Sequence, residues 1–250
     1  MFPYLQPAQS LWLTALLILW GLVLFGGFIF GNESETHRTP ALNRMVSSIL
    51  LVVAGWSWVI FCDAPEIRPF AIMIAIGMTF GFGGDLVLSE LLPIGRSVIV
   101  GILFFGIGHI FYIGGIVQST QQWGYTAVSP RLNSLILWLL IGLVGWYIVV
   151  FRGQKPTVLH WAALPYALLL AGTTGVGTGL ALQEGAFVWL AVGAGLFLFS
   201  DLILAGELFA DYKFRSVGDV VWLTYGPGQM LIVYSIGVAH SILLNATLAL

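Results

Sequence analysis

The sequence predicts an all-α fold, a polytopic membrane bundle of about eight transmembrane helices. Three observations predict it. Of 250 residues, 59% are hydrophobic and only 8% are charged, against roughly 25% charged in soluble domains. The mean hydropathy of +0.98 leaves too little polar surface to cover a water-facing protein of this size. The apolar residues are also gathered into runs of about 20, the length that crosses roughly 30 Å of hydrocarbon as a helix.

Eight such runs are bounded by charge, proline or polar clusters. Leu11–Phe30 is the first, and the residues before it lack the basic segment of a signal peptide, so it is expected to be retained as a span. Ala41–Cys62 follows Pro40 and stops at Asp63, and Phe70–Leu92 lies between Pro69 and Pro93. Val98–Val117 starts after Arg96, while Leu132–Phe151 is framed by Arg131 and Arg152. Leu159–Leu182 follows Pro156, Ala186–Phe209 lies between Glu184 and Asp211, and Val217–Leu244 begins after Arg215. The links are short, so residues 1–250 are expected to form a single transmembrane domain.

Charge predicts the orientation. The loops after spans 1, 3, 5 and 7 hold Arg38, Arg44, Arg96, Arg152, Lys155, Lys213 and Arg215, seven of the nine basic residues. The other side holds only Arg68 and Arg131. By the excess of Lys and Arg in cytoplasmic loops, the odd-numbered loops are cytoplasmic and both termini non-cytoplasmic. Trp12, Trp58, Trp123, Trp138 and Trp189 then fall near the outer interface, and Trp161 and Trp222 near the inner one. The net charge of −2 offers no basic face for nucleic acid. The single cysteine, Cys62, excludes an internal disulfide.

The two halves resemble each other. Gly84-Asp85 followed by Glu90 in span 3 matches Ser200-Asp201 followed by Glu207 in span 7, with the aspartates 116 residues apart. Gly108-His109 in span 4 matches Gly228-Gln229 in span 8, at a separation of 120. A 4+4 direct repeat of this kind places its axis along the membrane normal and makes spans 3 and 7 parallel.

Asp85 and Asp201 are the principal candidate site residues, because a carboxylate within a span costs at least about 2.5–3.5 kcal/mol. At 1.5 Å per residue they lie about 9 and 12 Å from the inner ends of their spans, and Tyr225 lies at a similar depth in span 8. These three groups are expected to meet in one cavity open to the cytoplasm. His109 and Tyr112 share a face of span 4, and Gln229 corresponds to His109, so these are expected to line the same cavity further up or to bond between helices. Glu90 and Glu207 sit nearer the inner interface, and Arg96, Lys213 and Arg215 are positive-inside residues or partners of a lipid phosphate. His160 and His240, near helix ends, read as structural. The glycine clusters of spans 3, 4 and 6 predict close backbone packing, with room for a substrate near Asp85. Pro227 is expected to kink span 8 and free a carbonyl.

Taken together, Gly84-Asp85, Gly108-His109-x2-Tyr112, Phe199-Ser200-Asp201, and Leu223-Thr224-Tyr225 with Gln229 resemble the motifs of the YhhN, or lysoplasmalogenase, family of eight-span membrane proteins, over roughly residues 40–240. The resemblance implies hydrolysis of the vinyl-ether bond of lysoplasmalogens to a fatty aldehyde and glycerophosphocholine or glycerophosphoethanolamine. The residues suit that chemistry. Protonating the β-carbon of a vinyl ether creates an oxocarbenium ion that water captures, so one carboxyl acts as acid while the other stabilises the cation or orients water, as in glycosidases. No nucleophile elbow, metal-binding histidine cluster or cofactor motif is present, so no cofactor or metal is expected. The expected partners are a lysophospholipid or other lipid and the bilayer. Two other functions use the same residues: a proton-coupled lipid or small-molecule carrier, and a non-catalytic lipid-binding protein whose aspartates only hold helices together.

Overall fold

The computed structural model describes residue 2 and residues 4–89 and 97–248. Among them the chain is all-helical, with eight helices long and apolar enough to span a membrane and no strand. In order they are α1 (Pro7–Phe30), α2 (Ala41–Phe61), α3 (Arg68–Leu88), α4 (Val98–Gln122), α5 (Val128–Trp146), α6 (Val158–Ala181), α7 (Val188–Phe209) and α8 (Val217–Leu248). A π turn, Tyr147–Phe151, continues α5, and a 3-10 turn, Gly185–Phe187, leads into α7.

Several ends differ from the predicted spans, for local reasons. Pro7 starts α1 at a first-turn position, where a missing N–H costs nothing, and the Gln9 side chain accepts the Gln6 N–H at 3.0 Å. Past Val117, α4 continues through a polar tail in which the buried Thr120 satisfies its hydroxyl within the helix, donating to the Ile116 carbonyl at 2.6 Å. Pro130 is accommodated in the first turn of α5, so that helix begins ahead of Arg131. Residues 90–92, the predicted end of span 3, lie outside the described residues, as do Glu90 and Arg96. Trp58 is a correction to the predicted outer aromatic belt. It is fully buried, in edge contact with Phe2 and Tyr234 at centroid distances of 4.9 and 6.2 Å. Through Pro227, α8 runs on as one helix.

Loops alternate between two ends. The α1–α2 loop meets the α7–α8 loop, where Glu35 and Thr36 accept backbone bonds from Ser216 and Gly218 at 2.9 and 3.0 Å. At the other end the α4–α5 loop meets the α6–α7 loop, with Gln183 Oε1 accepting from the Ala127 N–H at 2.8 Å.

Packing follows the duplicated plan. Helices α3 and α4 cross at Gly77 and Gly108, where a Cβ on either would stand 2.9 or 2.8 Å from the other's carbonyl oxygen. Helices α7 and α8 cross in the same way at Gly193 and Gly228, both distances being 2.8 Å. Gly193 follows Gly77 by 116 residues and Gly228 follows Gly108 by 120, the separations that relate the Asp and Gly-polar pairs. The halves also embrace reciprocally, α4 packing on α6 and α8 on α2.

The crossings generate a prediction. Gly77→Val and Gly193→Val, which force helix backbones apart, should each destabilise the protein by about 1–3 kcal/mol. Gly26→Ala, at a position with nothing within 4 Å, should not. Thermal unfolding of the three variants in detergent measures the difference.

Candidate functional site

The small-residue face of α3 builds the floor. Gly77, Gly81 and Gly84 fall on one helical stripe and receive the rings of Tyr112 and Phe105 and the amide of Gln229. A Cβ at Gly81 would lie 2.9 Å from Gln229 Nε2, and one at Gly84 would lie 2.7 Å from the Phe105 ring. The space that these glycines were expected to leave for a substrate is therefore filled by the protein's own side chains.

On this floor a hydrogen-bonded row leads to Asp85. The Tyr112 hydroxyl donates to Gln229 Oε1 at 2.8 Å, and Gln229 Nε2 donates to the Tyr225 oxygen at 3.3 Å. Tyr225 donates to Asp85 Oδ2 at 2.9 Å, and the Ser48 hydroxyl from α2 donates to the same oxygen. Asp85 is 4% exposed. Asp201 differs: it is only partly buried, and the Tyr166 hydroxyl from α6 donates to its Oδ2.

Two cavities flank this part of α7. A polar one of about 300 Å³ is lined by both aspartates, Tyr225, Arg44, His37 and Glu207 among others. An apolar one of about 110 Å³ lies among α4, α5, α6 and α7 and is also lined by Asp201. Leu88, Phe105 and Leu204 line both, so they and Asp201 form the wall the cavities share.

The structure therefore gathers Asp85, Asp201 and Tyr225 around one cavity, and places Tyr112 and Gln229 behind it on the hydrogen-bonded row. His109 lines neither cavity. Its ring packs 4.5 Å from that of Phe197, which packs in turn on Tyr225 at 4.9 Å and Phe105 at 6.0 Å. His109 Nδ1 is 2.8 Å from Thr173 Oγ1. Because the Thr173 hydroxyl donates to the Leu169 carbonyl at 3.1 Å, the network assigns the proton to His109 Nδ1. Nε2 is then a bare acceptor, buried and without a hydrogen-bond partner among the described residues.

Four residues join the site that the sequence did not mark: Ser48, Tyr166, Arg44 and Asp219. Arg44, on α2, stands with its guanidinium 5.8 Å from the Trp222 ring centroid and Nη2 3.8 Å from Glu33 Oε2. Beside it, burial, reinforced by the Arg44 charge, lowers the pKa of His37, leaving that imidazole neutral at neutral pH. Asp219 ties the α1–α2 loop over the polar cavity. Its Oδ2 accepts the Arg38 N–H at 2.7 Å, and its Oδ1 accepts the Thr39 N–H and hydroxyl, both at 2.9 Å. Ser216-Val217-Gly218-Asp219 has the spacing of a helix capping box. Here both ends of the motif are diverted to the neighbouring loop, because the Ser216 N–H goes to the Glu35 carbonyl.

Fold and site together define a polytopic helical membrane protein with two aspartates set among its spans and lining one polar cavity. The chain belongs to the YhhN family, whose model matches residues 40–236. Comparison with curated proteins and with solved structures found no match.

Asp219→Ala removes the acceptor for three donors. Unsatisfied buried donors cost about 1–3 kcal/mol, so the variant should melt lower in detergent and be cleaved faster by protease within residues 31–39, with the helices left intact.

Proposed function

We propose that the protein is an intramembrane hydrolase that cleaves the vinyl-ether bond of lysoplasmalogens, releasing a fatty aldehyde and glycerophosphocholine or glycerophosphoethanolamine. Membership of the YhhN family supports this reading. The single structural observation that carries it is the place of Asp201 in the wall between a polar and an apolar cavity, with Asp85 in the polar one. An amphiphile with its reactive bond between head and chain fits that arrangement.

In the proposed reaction the Asp201 carboxyl gives its proton to the β-carbon, the chain-side carbon of the double bond. The π electrons form the new C–H bond, and positive charge develops across the α-carbon and the ether oxygen. Asp85, which accepts hydrogen bonds from Ser48 and Tyr225, is the fixed negative partner for that charge. Water adds to the α-carbon and its proton returns to the Asp201 carboxylate, giving a hemiacetal. The hemiacetal then breaks its bond to the glycerol oxygen, which takes the hydroxyl proton as the aldehyde leaves. Arg44, which lines the polar cavity, is the cation that a phosphodiester bound there would meet.

Aldehyde release from lysoplasmalogen by the purified protein tests the reaction. Asp85→Asn and Asp201→Asn should each lower the rate by a factor of 10² or more while leaving the melting curve near that of the wild type. Full activity in either variant would overturn the mechanism. Uptake driven by a pH gradient in liposomes without chemical product would instead identify a carrier. Asn variants that only melt lower would identify a structural role.

The same reading places the polar cavity at the cytoplasmic leaflet of a cell membrane, the inner one in a bacterium, with both termini on the opposite side. The bias of seven basic residues in nine supports it. An impermeant thiol reagent should label Glu184→Cys in intact cells and Ser34→Cys only after permeabilisation. The reverse pattern would invert the topology.

A further inference from the structure

The apolar cavity has a shape and a boundary of its own. On α5 it is lined by Gly142 and Gly145, on α6 by Ala163 and Ala167, and on α7 by Ala205, one turn past Asp201. These small side chains keep open a space that larger ones would close. Its far end is formed by Trp146 and by Val150 of the π turn, a helix irregularity found frequently at functional sites. The Trp146 N–H is held by the His160 carbonyl at 2.9 Å. Asp201 and its donor Tyr166 supply the polar groups along the remaining wall. Two lining residues, Ile141 on α5 and Leu208 on α7, are 43% and 36% exposed on the outer surface of the bundle.

A cavity lined in this way, meeting a carboxyl at one side and the outer surface of membrane-crossing helices at another, suits a hydrocarbon chain still partly in the bilayer. We propose that it is the chain subsite and lateral portal of the enzyme. The carbons next to the ether lie between α5, α6 and α7, threaded past Asp201. The distal chain leaves past Ile141 and Leu208 into the surrounding lipid, and the headgroup occupies the polar cavity. The substrate class rests on the function proposed above, whereas the place of the chain is a separate claim about geometry. It assigns Gly145 and Ala205 as specificity-determining positions. A Cβ at Gly145 would meet only Leu202 Cδ1, at 3.4 Å, and Leu202 itself lines the cavity, so a side chain added at Gly145 takes up space beside it.

The test uses the full protein in lipid nanodiscs with an alkyl-ether lysophosphatidylcholine, which lacks the vinyl bond, bearing a photoreactive diazirine either close to the ether or at the chain end. The proximal probe should label Trp146, Ala163 or Ala205, and the distal probe chiefly lipid. Gly145→Leu and Ala205→Phe should each reduce proximal labelling at least fivefold and lower kcat/KM for lysoplasmalogen about tenfold. Leu19→Phe, on the outer face of α1, should change neither. Proximal labelling confined to other helices, or unchanged by both cavity-filling variants, would overturn the subsite. Should the wild type label as expected yet release no aldehyde, the subsite stands and the hydrolase reading falls. A variant that fails to fold does not decide the matter, because wild-type labelling reports the chain's position by itself.

Discussion

A carboxyl among apolar helices is tolerated only where hydroxyl groups meet it, and the site depends on how that need is met. Each aspartate takes a donor from the helix before it in the chain: Ser48 of α2 for Asp85, and Tyr166 of α6 for Asp201. Such bonds require helix axes close enough for short side chains to reach, and small residues bring those axes together: a Cβ at Gly55 of α2 would stand 3.3 Å from Ala75 Cα of α3, and one at Gly177 of α6 would stand 3.6 Å from Ala191 Cα of α7. The hydrogen-bonded row from Tyr112 to Asp85 then follows, because Gln229 and Tyr112 lie in the space that Gly81 and Gly77 leave open.

Duplication supplies the frame, and divergence supplies the site. Asp85 and Asp201 occupy equivalent places, as do Phe105 and Tyr225, which are 120 residues apart. Tyr225 donates to Asp85, whereas Phe105 forms part of the wall beside Asp201 and has no hydroxyl to give. Both carboxyls line the polar cavity, but Asp85 consequently takes two donors, whereas Asp201 takes one and also borders the apolar cavity. Two carboxyls in identical surroundings would share one chemistry. Different surroundings are what allow a pair to divide the roles of acid and anion.

Much of this was legible in the residues, and what was not has physical causes. Eight spans, the aspartates and the separations of 116 and 120 residues are visible because charge is rare in hydrocarbon and glycine-polar pairs are distinctive. Helix ends were misjudged where polar residues are satisfied internally, as at Thr120, or where proline occupies a first turn, as at Pro130. Trp58 shows why an aromatic near a predicted boundary is weak information: ring packing with Phe2 and Tyr234 draws it inward. Ser48 is a commonplace residue in a helix, and its role exists only through a neighbour 37 positions away. Tyr166 and Asp219 did carry signals, a tyrosine after an intrahelical proline and an acidic residue at capping-box spacing. Those signals say that something is bonded without saying to what.

The position of the cavities bears on why such a site would lie within the bundle at all. Lifting a single-chain lipid into a water-exposed pocket exposes its chain at about 0.8 kcal/mol per methylene. A chain of roughly sixteen carbons would therefore cost on the order of 10 kcal/mol if fully exposed. A site with its carboxyl at the edge of an apolar cavity, and with that cavity lined by outward-facing residues such as Ile141 and Leu208, avoids nearly all of that cost, because the chain need not leave hydrocarbon. On the proposed reading only the headgroup, the bond to be broken and the carbons next to it enter the protein. That requirement matches a polar cavity beneath the α1–α2 loop, held in place by Asp219 and furnished with Arg44. In the proposed reaction an oxocarbenium ion needs one water molecule and one nearby anion, and a cavity of about 300 Å³ lined by Asp85, Asp201 and Tyr225 has room for both.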